Sequence, residues 1–324
     1  MTMPDCLRLY FSLFFLVSLG CEQSQTQRVN ETFDEAENLS RQAEKETHQL
    51  DDGSSYEGEL ALGVPEGYGK RTFVNGDIYQ GQFMKGICHG HGIMRYKSNP
   101  QIERYFGNWA NGKRSGYGTL IMSDGSEFIG HWVKDSLSYG EYSSEDGSKY
   151  FGKWEREFLR EGVFVSKEGV RFTGQFDDQG GYRIGSLEIS ESEIYHGSFK
   201  EGEFHGSGIL EVGDGTIYTG QFENGIKSGF GILQDYDGTI YRGDFYQNKP
   251  DGSGIQSDPS GVSYTGAWKR GVRHGIGVLD FGDGTSFSGE FSNGLAIGGQ
   301  YDWGEGKVTN SYQDENGNWL DFED

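Results

Sequence analysis

The chain has 324 residues, of which 54 are glycine, 5 proline and 3 cysteine; 34% are apolar and 15% aromatic, so nearly half of the apolar complement carries a ring. That balance excludes a collagen-like or proline-rich chain and a disulfide-stapled scaffold, and it suits a thin sheet held by stacked rings better than a thick aliphatic core. A formal net charge of −22, from 50 acidic and 28 basic residues, sets the chain against nucleic acid and against anionic lipid headgroups, both of which are captured by clustered Lys and Arg.

At the N-terminus Arg8 precedes the apolar run Leu9 to Leu19, and Gly20-Cys21 follow it. The run has the length of a secretion-signal core and is too short to span a bilayer comfortably. A small residue directly before a cysteine resembles the lipobox of bacterial lipoproteins. The resemblance implies removal of residues 1–20 and lipid attachment at Cys21; the alternative is an ordinary signal peptide that happens to hold a cysteine. Residues 21–55 are polar, rich in Glu and Gln, and read as a mostly disordered tether. Phe33, Ala36, Leu39, Ala43 and Leu50 within it have weak helical spacing.

From Tyr56 the chain is periodic. The lead aromatics Tyr56, Tyr79, Tyr105, Phe128, Tyr150, Phe172, Tyr195, Tyr218, Tyr241, Tyr264 and Phe287 are separated by 23, 26, 23, 22 and 22 residues and then by 23 throughout. A fixed period of this length makes each unit one supersecondary element of an array. In Tyr218-Thr-Gly220-Gln-Phe222 strand alternation puts ring, glycine and ring on one face. Gly229-Phe-Gly231-Ile-Leu233 reads as a second strand with the same period of two. Asn224-Gly225 between them and Asp237-Gly238 at the end are tight-turn signals, because both tolerate positive φ.

The expected fold is therefore all-β: a single-layer array of about eleven antiparallel hairpins over residues 56–299. A ring from a neighbouring strand is expected to cover each bare glycine, and some 22 strands about 4.8 Å apart would extend roughly 100 Å. Three extra residues around Lys97 to Glu103 make a longer turn or a contact loop. The units led by Phe128, Tyr150 and Phe172 lose the second Gly-x-Gly strand, which should change how hairpins nest over residues 136–190. Residues 300–324, with Tyr301, Trp303, Tyr312, Trp319 and Phe322, read as a C-terminal cap and acidic tail.

The pattern Tyr-x-Gly-x-(Trp/Phe), then Gly-x-Gly, then Asp-Gly at a period of 23 resembles the MORN repeat (membrane occupation and recognition nexus). It is followed closely in seven units, those led by Tyr79, Tyr105, Tyr195, Tyr218, Tyr241, Tyr264 and Phe287, weakly in the first, where Leu60 replaces the second ring, and in degenerate form in those led by Phe128, Tyr150 and Phe172. The resemblance implies protein contact or self-association, and a phospholipid-headgroup role that −22 opposes.

Chemistry is harder to place. His89, His205 and His274 each precede the first glycine of Gly-x-Gly, so the repeat accounts for them better than an active site does. His89-Gly-His91 is a strand-spaced pair without a third metal ligand. Asp235-Tyr-Asp237-Gly238 lacks the twelfth-position glutamate of an EF-hand, where Tyr246 stands. No phosphate-cradling or nucleophile-elbow motif occurs.

The reading that results is a non-enzymatic, cofactor-free, membrane-anchored protein-binding scaffold of a bacterial cell envelope. The outer membrane facing the periplasm is preferred, with the inner membrane or the surface as alternatives. Trp109, Trp132, Trp154, Trp268, Phe222 and Phe245 are the candidate aromatic groove for an extended partner. The alternative is a polysaccharide- or peptidoglycan-binding module, or a headgroup-binding MORN protein.

Overall fold

The computed structural model describes residues 46–321. The export signal, Cys21 and most of the tether lie outside the described residues, as do Phe322 and the last two acids. All secondary structure among the described residues is β. The chain divides into two compact units at Leu159/Arg160, within the stretch that departs most from the repeat.

The first unit contains β1 (Thr47–Gln49), β2 (Ser55–Ala61), β3 (Val64–Thr72), β4 (Ile78–Met84), β5 (Ile87–Arg95), β6 (Ile102–Ala110), β7 (Lys113–Met122), β8 (Glu127–Val133), β9 (Ser136–Ser143) and β10 (Lys149–Glu155). Each pairs antiparallel with the next. The boundary between units falls within β11 (Phe158–Val165). The second unit continues in the same meander from β12 (Arg171–Phe176) to β25 (Trp319–Asp321). Strands thus begin ahead of Tyr56 and continue past Gly299, and Trp319 lies 4.8 Å from Phe287 and 4.9 Å from Tyr301.

The unit led by Tyr218 shows how the repeat is built. Gly220 pairs with Gly231 across the ladder, and the ring of Tyr218 lies over both. A methyl group at Gly231 would sit 2.5 Å from Tyr218 Oη. For Gly231 the covering ring comes from the neighbouring strand, as expected, whereas for Gly220 it is the lead residue of its own strand. Its hydroxyl donates to Gln221 O at 3.0 Å. Tyr56, Tyr79, Tyr105, Tyr195, Tyr241 and Tyr264 repeat that bond to the carbonyl three residues on. The acceptor lies where the register shifts between Gly220 and Phe222, so the phenol satisfies a carbonyl beside a break in the ladder.

The break also changes the reading of Gly-x-Gly. Gly229 has φ +64°; it forms a bulge and does not continue the alternation. Phe222 pairs with Lys227 while Gly220 pairs with Gly231, so two residues of one strand face four of the next. In the unit led by Phe128, Gly130 pairs with Gly140 and Trp132 with Leu137, two residues against three. The missing residue is the bulge glycine, which accounts for that unit's 22-residue length. The ladder glycine itself survives there.

The two turns differ physically. Asn224 and Gly225 have φ +50° and +76°, the double left-handed turn that matches strand twist. Gly225 N–H donates to Phe204 O at 2.9 Å, and the same bond docks Gly86, Gly112, Gly271 and Gly294 onto the hairpin before them. In the Asp-Gly turn only Gly238 is left-handed, at φ +87°; Asp237 instead accepts the Thr239 amide at 2.9 Å. Asp124 accepts both the hydroxyl and the amide of Ser126, which holds its carboxyl below the ordinary range. The extra residues near Pro100 are anchored by Asp77, whose carboxylate accepts from the amide of Ser98 at 2.8 Å and from its hydroxyl at 2.8 Å.

Two changes test this construction. Gly231→Ala places a methyl against Tyr218, and chemical denaturation should report a loss of about 1–3 kcal/mol or more. Glu157, at φ +71°, occupies a turn position that favours glycine, so Glu157→Gly should raise stability by about 1 kcal/mol in the same assay.

Candidate interaction faces

The rings form continuous edge-to-face chains on one side of each unit. In the first, Tyr56, Phe83, Tyr79, Trp109, Tyr105 and Trp132 follow one another with centroids 5.0–5.5 Å apart. In the second the chain runs from Phe172 through Phe199, Tyr195, Phe222, Tyr218 and Phe245 to Tyr241, Trp268, Tyr264, Phe291 and Phe287.

These chains hold five of the six groove candidates; the sixth, Trp154, packs edge-on against Phe128, Tyr142 and Tyr150 instead. Trp109, Trp132, Trp268, Phe222 and Phe245 are only 3–6% exposed, and Trp154 is half-buried. The indole N–H groups of Trp109, Trp132, Trp154 and Trp268 donate to the carbonyls of Gly92, Gly118, Gly140 and Gly254 at 2.9–3.2 Å. Their faces and their polar edges are already used. The groove expected from the sequence is filled by the array's own rings: five of the six are interior, and Trp154 is partly covered.

Even the cover over the rings is supplied by the repeat. Lys227 Nζ stands 4.9 Å from the Tyr218 ring centre and the Arg273 guanidinium 5.2 Å from that of Tyr264; burial lowers the pKa of both cations. At the residue before the bulge glycine, Glu66 accepts the Lys85 amide at 2.8 Å and Asp251 the Arg270 amide at 3.0 Å. His89, His205 and His274 hold that position in other units, each with a buried Nδ1 lacking a partner. Gly90 between His89 and His91 is left-handed, at φ +59°, so the two imidazoles do not follow strand alternation.

The other side of the sheet is free of the ring chain, and the two units differ there. In the second, the register aligns Ile209, Ile232, Ile255 and Val278, interleaved with Thr219, Arg242 and Thr265. Ile255 is 48% exposed, and Phe230 and Ile276 in the adjoining row are 57% and 72% exposed. In the first unit a row with one residue per strand from β3 to β9 reads Tyr68, Gln82, His91, Asn108, Tyr117, His131 and Tyr139. Neither row was picked out from sequence. The signal for the first was present, since Ile209, Ile232, Ile255 and Val278 recur every 23 residues directly after Gly-x-Gly.

The repeat itself has relatives. The model of the MORN repeat matches residues 56–78, 79–99, 105–127, 195–217, 218–240, 241–263 and 264–286. The chain carries MORN repeats. The unit led by Tyr56 is matched despite Leu60, whereas the MORN match stops short of the unit led by Phe287 and omits those led by Phe128, Tyr150 and Phe172. MORN repeat-containing protein 3 of Xenopus laevis is 38% identical over 68 residues, 19% of this chain and 28% of that protein. Alsin of Rattus norvegicus is 29% identical over 86 residues, 25% of this chain and 5% of alsin. The MORN array thus spans a small part of each relative's length. The TCP10 domain of Danio rerio CPAP, solved with a peptide of STIL, aligns over 86% of this chain and 99% of that one at 12% identity, with a TM-score of 0.20.

Burial of the lead tyrosines gives a pH signature. It pushes the phenols of Tyr195 and Tyr218 up to about 12 from an ordinary value of 10.0. Burial does the same to Tyr56, with the carboxylates of Glu59 and Glu66 adding to it. Below pH 10 both folded and unfolded chains hold these protons, so the stabilisation is complete. Between 10 and about 12 the unfolded chain releases them first, and stability falls as pH rises. Phenolate absorbance and circular dichroism should therefore change together in that window.

Proposed function

We propose that the chain is a non-enzymatic, lipid-anchored scaffold of a bacterial cell envelope that binds a protein through the ring-free face of its second unit. The observation that carries this reading is the exposed aliphatic row Ile209, Ile232, Ile255 and Val278 with Phe230 and Ile276 beside it. A contiguous apolar face rimmed by polar residues marks contact with another macromolecule. Interface cores favour apolar side chains depleted of charge, and Arg242 is the single charge within the row. Titratable side chains are dispersed by the repeat: aspartates serve turns, and three histidines share one repeat position. The anchor rests on the apolar run ending in Gly20-Cys21, and Glu22 after the cysteine, in place of the aspartate that retains such lipoproteins at the inner membrane, favours the outer membrane facing the periplasm. Relatives with MORN repeats agree with a repeat-built binding surface.

In-envelope crosslinking from a probe at Ser253 should capture a predominant protein partner, and Ile255→Glu with Ile276→Glu should reduce that capture about tenfold or more. Capture unaffected by the pair would overturn this assignment of the face. Cys21→Ser should move the protein from the membrane to the soluble fraction; unchanged fractionation would remove the lipid anchor.

A further inference from the structure

The row from Tyr68 to Tyr139 on the first unit has a different chemistry from the aliphatic face. It is tied together by the sheet itself: Gln82 Nε2 donates to Tyr68 Oη at 2.9 Å, and His91 N–H donates to Gln82 Oε1 at 3.0 Å. His91 pairs with Asn108, Tyr117 with His131, and His131 with Tyr139. Tyr139 is 39% exposed, and its ring is braced edge-to-face on Phe151 at 5.2 Å. None of the seven is Asp, Glu, Lys or Arg, in a chain that is 24% charged. The repeat does not impose this. The same repeat positions in the second unit include Gln221, Phe230, Asp244, Ser253, Ile276 and Glu290, with two carboxylates, one ring and no imidazole among them.

The ligand that fits is one with apolar ring faces, many hydroxyls and no charge. We propose that this row binds a neutral, β-linked glycan chain laid across the strands. The C–H face of a pyranose packs on an aromatic ring, while planar amides and imidazoles offer donors and acceptors to hydroxyls. Tyr117 on β7 and Tyr139 on β9 are two strands apart, roughly 10 Å, close to the length of one disaccharide in an extended chain. Pyranoses stack on these two tyrosines, and Gln82, His91, Asn108 and His131 meet the hydroxyls between and beyond them. The charge of −22 repels acidic polymers, a cationic segment meets a carboxylate only at the row's end, on Glu59, which already accepts the Tyr68 amide, and a neutral sugar meets neither obstacle. This ligand and face are independent of the protein contact assigned to the second unit.

Calorimetric titration of the full chain with cellohexaose and with chitohexaose tests it. At least one should bind, with affinity unchanged between low and high salt, because no charge is paired. Tyr117→Ala and Tyr139→Ala should each weaken binding about tenfold, and Tyr117→Phe should retain it within about twofold. Circular dichroism identifies any variant that fails to fold, and His131→Ala then serves in its place. Ile255→Glu should leave glycan binding unchanged, which separates this site from the protein-binding face. No heat with either hexasaccharide overturns the proposal. So does binding indifferent to Tyr117→Ala and Tyr139→Ala, or binding that collapses with salt.

Discussion

A tyrosine ring lying across two bare glycines is the contact on which the array depends. Gly220 and Gly231 face each other on the ladder with Tyr218 over both, leaving no space for a side chain on either. Each ladder glycine gives up about 0.5–1 kcal/mol relative to alanine in conformational freedom. In return the ring sits deep enough for its hydroxyl to reach the Gln221 carbonyl, and close enough to Phe222 and Phe245 for edge contacts of 5.1 and 5.0 Å. Each such contact contributes about 0.5–1.5 kcal/mol beyond area burial, and full burial of the ring about 1.5–3 kcal/mol more. The ring wins, and it does so in each of the seven units whose lead tyrosine bonds the carbonyl three residues on.

That constraint separates the two sides of the sheet. The ring side is dictated by the fold: its tyrosines, tryptophans and phenylalanines are mutually packed and hydrogen-bonded. The opposite side carries no such demand, and there the units diverge. The first presents Asn108, Tyr117 and His131 where the second presents Gln221, Phe230 and Asp244. Variation of this kind, at positions where packing does not choose the residue, is where recognition can be written into a repeat.

The strand order and hairpin pairing were legible because Tyr218, Gly220 and Phe222 have counterparts at a nearly constant step and a glycine, after Asn in three units, closes most of the sharp turns. The bulge was not. Gly229 looks in sequence like a second ladder glycine, and only its left-handed backbone shows that it steps out of the pairing. Reading alternation straight through it assigns faces incorrectly, as with His89 and His91. The aromatic groove failed for a related reason: the property that makes Trp109 or Trp268 an attractive contact also makes it the best filler between neighbouring tyrosines. Tyr68, His91 and Tyr117 were invisible as a row because they belong to different units and meet only through cross-strand register.

The bulge has one more consequence. Residues inside it lie off the ladder, two extra beyond Phe222 and one beyond Trp132, while the glycine pair on either side keeps its place. A unit can therefore lose a codon at this point without shifting the strands that follow, and its neighbours still find their partners in phase. The bulge acts as an expansion joint, letting the gene vary in length by single residues while ring and glycine stay aligned from one hairpin to the next.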